Sequence, residues 1–301
     1  NAVYEVEDWF GEMQGVTYQQ HITDLYNSIN ELTKNPTSTI ARSSLIQNAT
    51  AFIDRSQAIY SGLKDYQITL NTEVSSMVDK INELGQKIYS LNKSISKVES
   101  GGVERANDLR DTRDIALDEL SQYLDIDYYE TTDGQIIISA ENIPFVSKSE
   151  VNTMDVRQEG QYGLLIPEWP AYEKDVFSFE KAASNANNND KGKLKGLLVA
   201  RGTIDVNYQD VPVMPDKSDY DLTTAEGMAQ YNSAMDDYQK QQDYYNKYIE
   251  PSAILSAIAG FDKLVNGIVT ALNDVLCPEK EVETTTEMTD DEGNPLQADK
   301  Y

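Results

Sequence analysis

Residues 74–98, VSSMVDKINELGQKIYSLNKSISKV, contain the clearest periodic pattern in the chain. The large apolar side chains of this stretch recur at alternating spacings of three and four residues, which is the period of one buried stripe along an α-helix. The pattern predicts a helix over residues 69–99 that packs lengthwise against other helices. The stripe consists of Val74, Met77, Ile81, Leu84, Ile88, Leu91, Ile95 and Val98.

Two more helices are predicted before this stretch. Apolar residues at helical spacing mark residues 17–34, and Asn35-Pro36 ends that helix because proline disfavours the helical conformation of the residue before it. Ser and Thr residues at 37–39 can cap a second helix, which we expect to end near residue 65. Its buried face is predicted to contain Leu45, Ala49, Phe52, Ser56, Ile59 and Leu63.

A fourth helix is predicted over residues 107–123, after the glycine pair at 101–102, with Asn107 or Asp108 as its N-cap. Alternating charges occupy the start of this helix. Such alternation is typical of a solvated face with surface ion pairs, although a docking patch is the alternative. The charged residues are Arg110, Asp111, Arg113 and Asp114.

The pattern then changes from helical to β. The β-branched run 136–138 follows a Thr-Asp-Gly turn in which Gly134 can supply a positive φ. We therefore predict a β-hairpin with strands at 126–130 and 135–140. Further strand-like pieces are expected at 154–158 and 162–166, and a polar loop contains Asn185, Asn187, Asn188 and Asn189.

Helical periodicity returns at about residue 225. The first of the two returning helices is rich in Tyr and Met, and the second starts after Pro251, a residue suited to a first helical turn. Their apolar stripes are Met228, Tyr231, Met235, Tyr238, Gln242, Tyr245 and Ile249, and then Ile254, Ile258, Phe261, Val265, Ile268, Leu272 and Val275. Six tyrosines between 220 and 248 exceed what one helix face buries, so we expect some of them to face a partner.

These elements predict an α+β fold that is mainly α, an elongated bundle of long antiparallel helices with a β-rich middle domain. We expect a helical rod domain to begin in the first part of the chain and to be completed by the returning helices. The predicted division is 1–125 helical, 126–215 β-rich, 216–276 helical, and 277–301 an acidic tail or the start of a further β domain.

The charge of the chain narrows the possible partners. It contains 51 Asp and Glu against 25 Lys and Arg, which gives a formal net charge of -26. Such a charge repels phosphate backbones and anionic lipids, so we expect no nucleic-acid partner and no membrane-surface role. The longest nearly apolar stretch, residues 253–261, is shorter than the roughly 20 residues that a membrane span requires.

Few residues offer metal or redox chemistry. With Cys277 and His21 as the single Cys and the single His, a zinc site, an iron–sulfur cluster or a Cys–His pair cannot be built within one chain. Acids at 216, 219, 221 and 226 (Asp216, Asp219, Asp221 and Glu226) could bind Ca²⁺, but they lack the ligand order of an EF-hand and are typical of a solvated loop. We predict no catalytic, cofactor or metal residues. We expect Trp9 and Trp169 to lie in cores, with interfaces as the alternative.

Several segments resemble the family of flagellar hook-associated protein 1, the hook–filament junction proteins. The most specific is Ala106-Asn-Asp-Leu-Arg-Asp-Thr-Arg-Asp114, followed by a helix and by a hairpin with Asp133-Gly134 at its turn. Residues 24–36, the 74–98 stripe and the segment from Gly192 to Arg201 are also similar to the family.

The resemblance implies a structural, non-enzymatic protein of the flagellar axis, without cofactors, that is exported through the type III route and carries no cleaved signal peptide. The implied partners are copies of the chain in a ring, the hook protein, the next hook-associated junction protein, and an export chaperone that acts through the termini. It also implies long terminal helices, so we expect the chain to be a core fragment that lacks them.

Two functions of other classes remain open from the residues. The first is an extracellular carbohydrate-active hydrolase that uses a carboxylate pair, which a raised carboxyl pKa at the centre of a concave pocket would favour. The second is a coiled-coil adhesin or secreted effector, in which the order from Asn-Asp-Leu to hairpin would be absent.

Overall fold

The computed structural model describes Tyr4 and residues 17–101, 105–160, 163–179 and 191–276. These residues form a mainly helical fold with a smaller β part, as the sequence predicts. The helices are α1 (Tyr18–Lys34), α2 (Thr39–Glu99), α3 (Asn107–Ser121), α4 (Lys193–Arg201), α5 (Ala225–Tyr248) and α6 (Ala253–Leu276). The strands are β1 (Ile126–Glu130), β2 (Ile136–Ala140), β3 (Ile143–Val146), β4 (Asp155–Glu159), β5 (Leu164–Trp169) and β6 (Lys174–Asp175).

Helix α1 begins and ends where the sequence predicts. The Thr17 hydroxyl caps it by accepting a hydrogen bond from the amide of Gln20 at 3.2 Å. The Tyr18 ring packs on Phe52 of α2 and Phe261 of α6, with ring centroids 5.7 and 5.2 Å apart. These aromatic contacts fasten α1 to two other helices of the core.

Helix α2 is one unbroken helix of 61 residues. The predicted break near residue 65 is therefore wrong: Gln67, which interrupts the apolar pattern there, is buried within the helix and donates from Nε2 to the carbonyl oxygen of Arg201 at 3.1 Å. At about 1.5 Å per residue, α2 is about 90 Å long. The predicted stripe of α2 is buried at Val74, Ile81, Leu84, Ile88 and Ile95, half-buried at Met77 and Leu91, and exposed at Val98.

Within the residues that the structure describes, six short strands form two antiparallel sheets, with the orders β1-β2-β3 and β4-β5-β6. The predicted hairpin is confirmed: β1 pairs with β2 from Ile126 opposite Ala140 to Glu130 opposite Ile136. Strands β4 and β5 lie close to their predicted positions. Strands β3 and β6 were not predicted, because β3 contains a proline and β6 has two residues, too few for an alternating pattern.

The Tyr-rich helix α5 buries less of its stripe than the pattern indicates. Gly227 is its one fully buried residue, Met228 is 52% exposed, and the remaining stripe positions within the helix are half-buried. In α6 the first three stripe positions, Ile254, Ile258 and Phe261, are buried. Val275, the last stripe position of α6, is 74% exposed.

The chain divides into two compact units, residues 1–263 and residues 264–301, and α6 contributes to both. Within the described residues, α6 is the helix whose length and composition would allow it to cross a membrane, with a mean hydropathy of 1.4. The sequence prediction considered only residues 253–261 as apolar, and it therefore underestimated the length of this apolar helix, which extends from Ala253 to Leu276. In the first unit, however, Ile254, Leu255 and Ile258 of α6 are fully buried, as in the core helix of a globular protein.

Some predicted features lie outside the described residues. They are Trp9, the asparagine loop at 185–189, Tyr162 at the start of a predicted strand, Cys277, and the acidic tail at 279–301.

Candidate functional site: polar contacts between the long helix and the two sheets

Two asparagines of α2 each bind both backbone groups of one residue in the β part. Asn92 Nδ2 donates to the carbonyl oxygen of Ile136 at 2.7 Å, and Asn92 Oδ1 accepts from the amide of Ile136 at 3.0 Å. Asn82 makes the same pair of bonds with Met154, both at 2.9 Å. Each side-chain amide thus replaces a neighbouring strand and satisfies backbone groups that would otherwise be unpaired.

A third asparagine, Asn71, binds the second sheet. Its Oδ1 accepts from the amide of Leu165 at 2.8 Å, and its Nδ2 donates to the carbonyl oxygen of Gly163 at 3.1 Å. We call Asn71, Asn82 and Asn92 the asparagine clamps. They lie about three helical turns apart, so one helix fixes both sheets at regular intervals.

Arg113 of α3 connects one clamp to the hairpin turn. The residue is 1% exposed, and its Nη1 donates to Asn92 Oδ1 at 3.1 Å and to the carbonyl oxygen of Gly134 at 2.6 Å. Burial lowers the pKa of the Arg113 guanidinium. The predicted solvated face of α3 is thus wrong for Arg113, whereas Asp111 and Asp114 are exposed as expected.

Arg110 connects α2, α3 and β1. Its Nη2 lies 2.7 Å from Glu99 Oε2 and its Nη1 lies 2.6 Å from Glu130 Oε1. The Arg110 guanidinium lowers the pKa of Glu99 to about 2, helped by a hydrogen bond from the amide of Ala106. Ala106 is the N-cap of α3, so the prediction of Asn107 or Asp108 there is wrong: the cap has no side-chain hydrogen bond, and the Glu99 carboxylate accepts from the backbone amide of Ala106.

The hairpin turn fits closely against this charged cluster. Gly134 has a φ of +77°, and a Cβ atom there would lie 2.9 Å from Arg110 Nη2 and 3.0 Å from Glu99 Oε2. Asp133 stabilises the turn by pairing with Lys148 at 2.8 Å, and this contact lowers the pKa of Asp133 to about 2. The glycine predicted for its positive φ is therefore also required for close approach.

A second buried arginine joins α4 to the second sheet. Arg201 is fully buried, and its Nη1 donates to Asn71 Oδ1 at 2.6 Å and to the carbonyl oxygen of Leu165 at 2.8 Å. Both acceptors are uncharged, and burial lowers the pKa of Arg201 to about 10. Arg201 thus completes the bonds around the Asn71 clamp.

The first sheet also meets α2 through an apolar contact. A Cβ atom at Gly85 would lie 2.5 Å from Cζ of Phe145, so β3 packs directly on the helix backbone at this point. Phe145 in turn packs on Trp169 of β5, with ring centroids 5.7 Å apart. Trp169 is fully buried, which confirms its predicted place in the core.

The acidic residues considered for Ca²⁺ serve local turns. Asp216 accepts from the amide of Ser218 at 2.9 Å, and Asp221 accepts from the amide of Thr223 at 3.0 Å. The amide of Ser218 lowers the pKa of Asp216, and the hydroxyl of Thr223, together with its amide, lowers the pKa of Asp221. Among the described residues, no group of three or more potential ligands is placed to hold a metal ion.

The other residues singled out in the sequence, His21 and the tyrosines between 220 and 248, do not come together in one site. His21 is half-buried on α1. Of the tyrosines predicted to face a partner, Tyr244 is 43% exposed and packs on Tyr248 with ring centroids 5.0 Å apart, and Tyr220 packs on Tyr231 at 5.5 Å. A partner for this surface remains a prediction.

The asparagine clamps were missed by sequence reasoning. An asparagine on an amphipathic helix normally indicates an exposed position, and the apolar stripe was assumed to continue through Leu91 rather than to include Asn92. One feature of the sequence could have indicated the clamps. Asn71, Asn82 and Asn92 are spaced by about three helical turns, which places them on similar sides of one helix.

The geometry defines a mainly helical protein in which one long helix binds two small sheets through buried and partly buried polar contacts. Residues 3–218 match the family model described as the flagellar hook-associated protein FlgK helical domain. The match covers more than half of the chain, and the chain belongs to this family.

Individual relatives agree with the family match. The chain is 26% identical over 249 residues to flagellar hook-associated protein 1 of Bacillus subtilis, covering 77% of this chain and 47% of the relative. It is 28% identical over 120 residues to the Escherichia coli protein of the same name, covering 40% of this chain and 22% of the relative. The chain therefore spans less than half the length of these relatives.

A solved structure shares the fold. The flagellar hook junction protein FlgK from Burkholderia pseudomallei superimposes with a TM-score of 0.55 and 18% sequence identity. The superposition covers 66% of this chain and 35% of the other chain.

Proposed function

We propose that this chain is part of a structural protein of the bacterial flagellum that joins hook to filament by subunit packing. The observation that carries the proposal is the family match over residues 3–218. The mechanical design supports it, because an unbroken helix of 61 residues is bound to both sheets by asparagine and arginine side chains. These hydrogen bonds, which are buried at Asn92 and partly buried at Asn82 and Asn71, resist sliding of the sheets along the helix.

The proposal includes the partners and location that the family implies. The protein packs against copies of itself, the hook protein and the next hook-associated junction protein, and an export chaperone binds its termini. It lies outside the cell after export without a cleaved signal peptide. It has no nucleic-acid or membrane partner and performs no catalysis. The division into helical, β-rich, helical and tail parts belongs to the same proposal.

The hydrolase alternative gains no support from the described carboxylates. Burial raises the pKa of Glu141, but its carboxylate accepts from the amide of Asp125 at 3.0 Å and so closes a turn beside β1. The apolar concavity beside α4 lacks carboxylates; its lining is Phe179, Leu198, Val199, Gly202, Thr203, Lys247, Tyr248, Pro251 and Ser252. A coiled-coil adhesin or secreted effector is expected not to have a helix followed by a hairpin at this point. In this chain α3 is followed by the hairpin of β1 and β2.

Deletion of the gene tests the proposed function. We expect cells without it to build hooks that carry no filaments and to release filament subunits into the medium, and the intact gene to restore both filaments and swimming. Immunogold labelling of wild-type cells should mark the boundary between hook and filament. Normal filaments in the deletion strain, or label elsewhere on the cell, would contradict the proposal.

A further inference from the structure

Three isoleucines form an exposed stripe on one flank of α2. Ile46, Ile53 and Ile68 are 65%, 43% and 55% exposed. At about 100° of rotation per residue they lie within about 60° of one another, along about 33 Å of the helix. We call them the isoleucine stripe. They are separated along the helix by seven and fifteen residues, and each offers a partner an exposed aliphatic side chain.

The part of the chain around the stripe is electrically neutral. Residues 17–100 contain eight acidic and eight basic side chains, whereas the whole chain carries a net charge of -26. The excess of negative charge therefore resides outside α1 and α2. Two copies of a chain this acidic repel each other over most of their surfaces, and the repulsion is smallest where α1 and α2 face outward.

We propose that the isoleucine stripe is the surface through which this chain packs against a second copy of itself. The proposal rests on the proposed function, in which many copies are held side by side. A neutral, apolar contact suits a like-charged partner, since it brings few carboxylates together and removes apolar surface from water.

The size of the stripe explains why the contact needs an assembly. Three aliphatic side chains that each expose on the order of 100 Å² supply about 300 Å², well below the roughly 800 Å² per partner that a stable complex of two proteins buries. The free protein is therefore a monomer at micromolar concentration. The contact forms where other interactions already hold the copies together at high effective concentration.

Photocrosslinking in cells tests the proposal. A photoreactive benzoyl-phenylalanine replaces Ile46 in the full-length protein, and the same substitution at Ile115 is the control. Both side chains are 65% exposed, but Ile115 lies on α3 among Asp111, Asp114 and Asp118. We expect irradiation of flagellated cells to give a covalent dimer of the chain from position 46 at several times the yield from position 115.

Other products would overturn the inference. They are a crosslink from position 46 to a different protein, a crosslink to residues 1–16 of the same chain, equal dimer yields at both positions, or no dimer. The gene deletion described above tests the proposed function separately. It shows whether the protein is needed for filaments, whichever of its surfaces contacts a neighbouring copy.

A pair of charge substitutions gives a second readout. Ile46→Asp adds a carboxylate to the neutral surface, and Ile115→Asp adds one to a surface that is already acidic. Both positions are exposed, so we expect both variants to fold with unchanged melting temperatures. Ile46→Asp should lower the fraction of cells with filaments several-fold more than Ile115→Asp, and equal fractions would contradict the proposed surface.

Discussion

Replacement of Asn92 by leucine tests whether the asparagine clamps stabilise the fold. Asn92 is 1% exposed and forms two hydrogen bonds with Ile136 and one with Arg113. Leucine has a similar size but leaves the amide and the carbonyl of Ile136 buried without these partners. Each unpaired group costs about 1–3 kcal/mol, so we expect a loss of about 4 kcal/mol of unfolding free energy.

This loss is large enough to measure by thermal unfolding. For a chain of this size, 1 kcal/mol corresponds to about 2–4 °C, so the melting temperature followed by circular dichroism should fall by roughly 10 °C. The matched control is Asn27→Leu, an exposed asparagine on α1, for which we expect a change within about 0.5 kcal/mol. Equal melting temperatures for the two variants would show that the hydrogen bonds of Asn92 do not stabilise the fold.

Three further changes address the helix–sheet contacts. Gly85→Ala places a methyl group against the Phe145 ring and should cost about 1–3 kcal/mol, measured by urea unfolding. Glu99→Gln tests the pKa of about 2 against the ordinary value of 4.5: the Glu99–Arg110 contact contributes stability above pH 4.5 that is lost as the pH falls towards 2, so the variant should be less stable at neutral pH and should lose less on acidification. Arg113→Met should cost several kcal/mol and speed hydrogen exchange of the hairpin amides, because buried acceptors lose their donor.

Each of these changes has a control or a contradicting result. Phe145→Leu combined with Gly85→Ala should recover part of the lost stability, since the smaller side chain leaves room for the methyl group. A Glu99→Gln variant with the same acid dependence as the wild type would show that the ion pair does not form. Unchanged exchange of the hairpin amides in Arg113→Met would show that the hairpin is held by its own turn.

The helices and the hairpin could be predicted because their signals are local. Thr17 caps α1, and Gly134 takes the positive φ that its turn requires. The continuity of α2 could not be predicted, because buried Gln67 finds its acceptor on Arg201, more than a hundred residues later in the chain. Local pattern contains no information about such a partner.

The contacts of the candidate site were the least predictable part. Charged residues at alternating positions normally lie on a solvated face, but Arg113 is buried because Asn92 and the carbonyl of Gly134 meet it there. The hydrogen bond from Asn82 Nδ2 to the carbonyl oxygen of Met154 likewise depends on a residue that lies 72 positions later in the sequence. Such tertiary partners override the pattern of one helix.

A distance measured between the two ends of α2 shows whether it is a single stiff helix that carries both sheets. Spin labels at Gln47 and Ser90, both exposed, in a Cys277→Ser background should be about 65 Å apart, with a narrow distribution in double electron–electron resonance. A broad distribution, or a distance many ångströms shorter, would show a break in the helix and contradict the account.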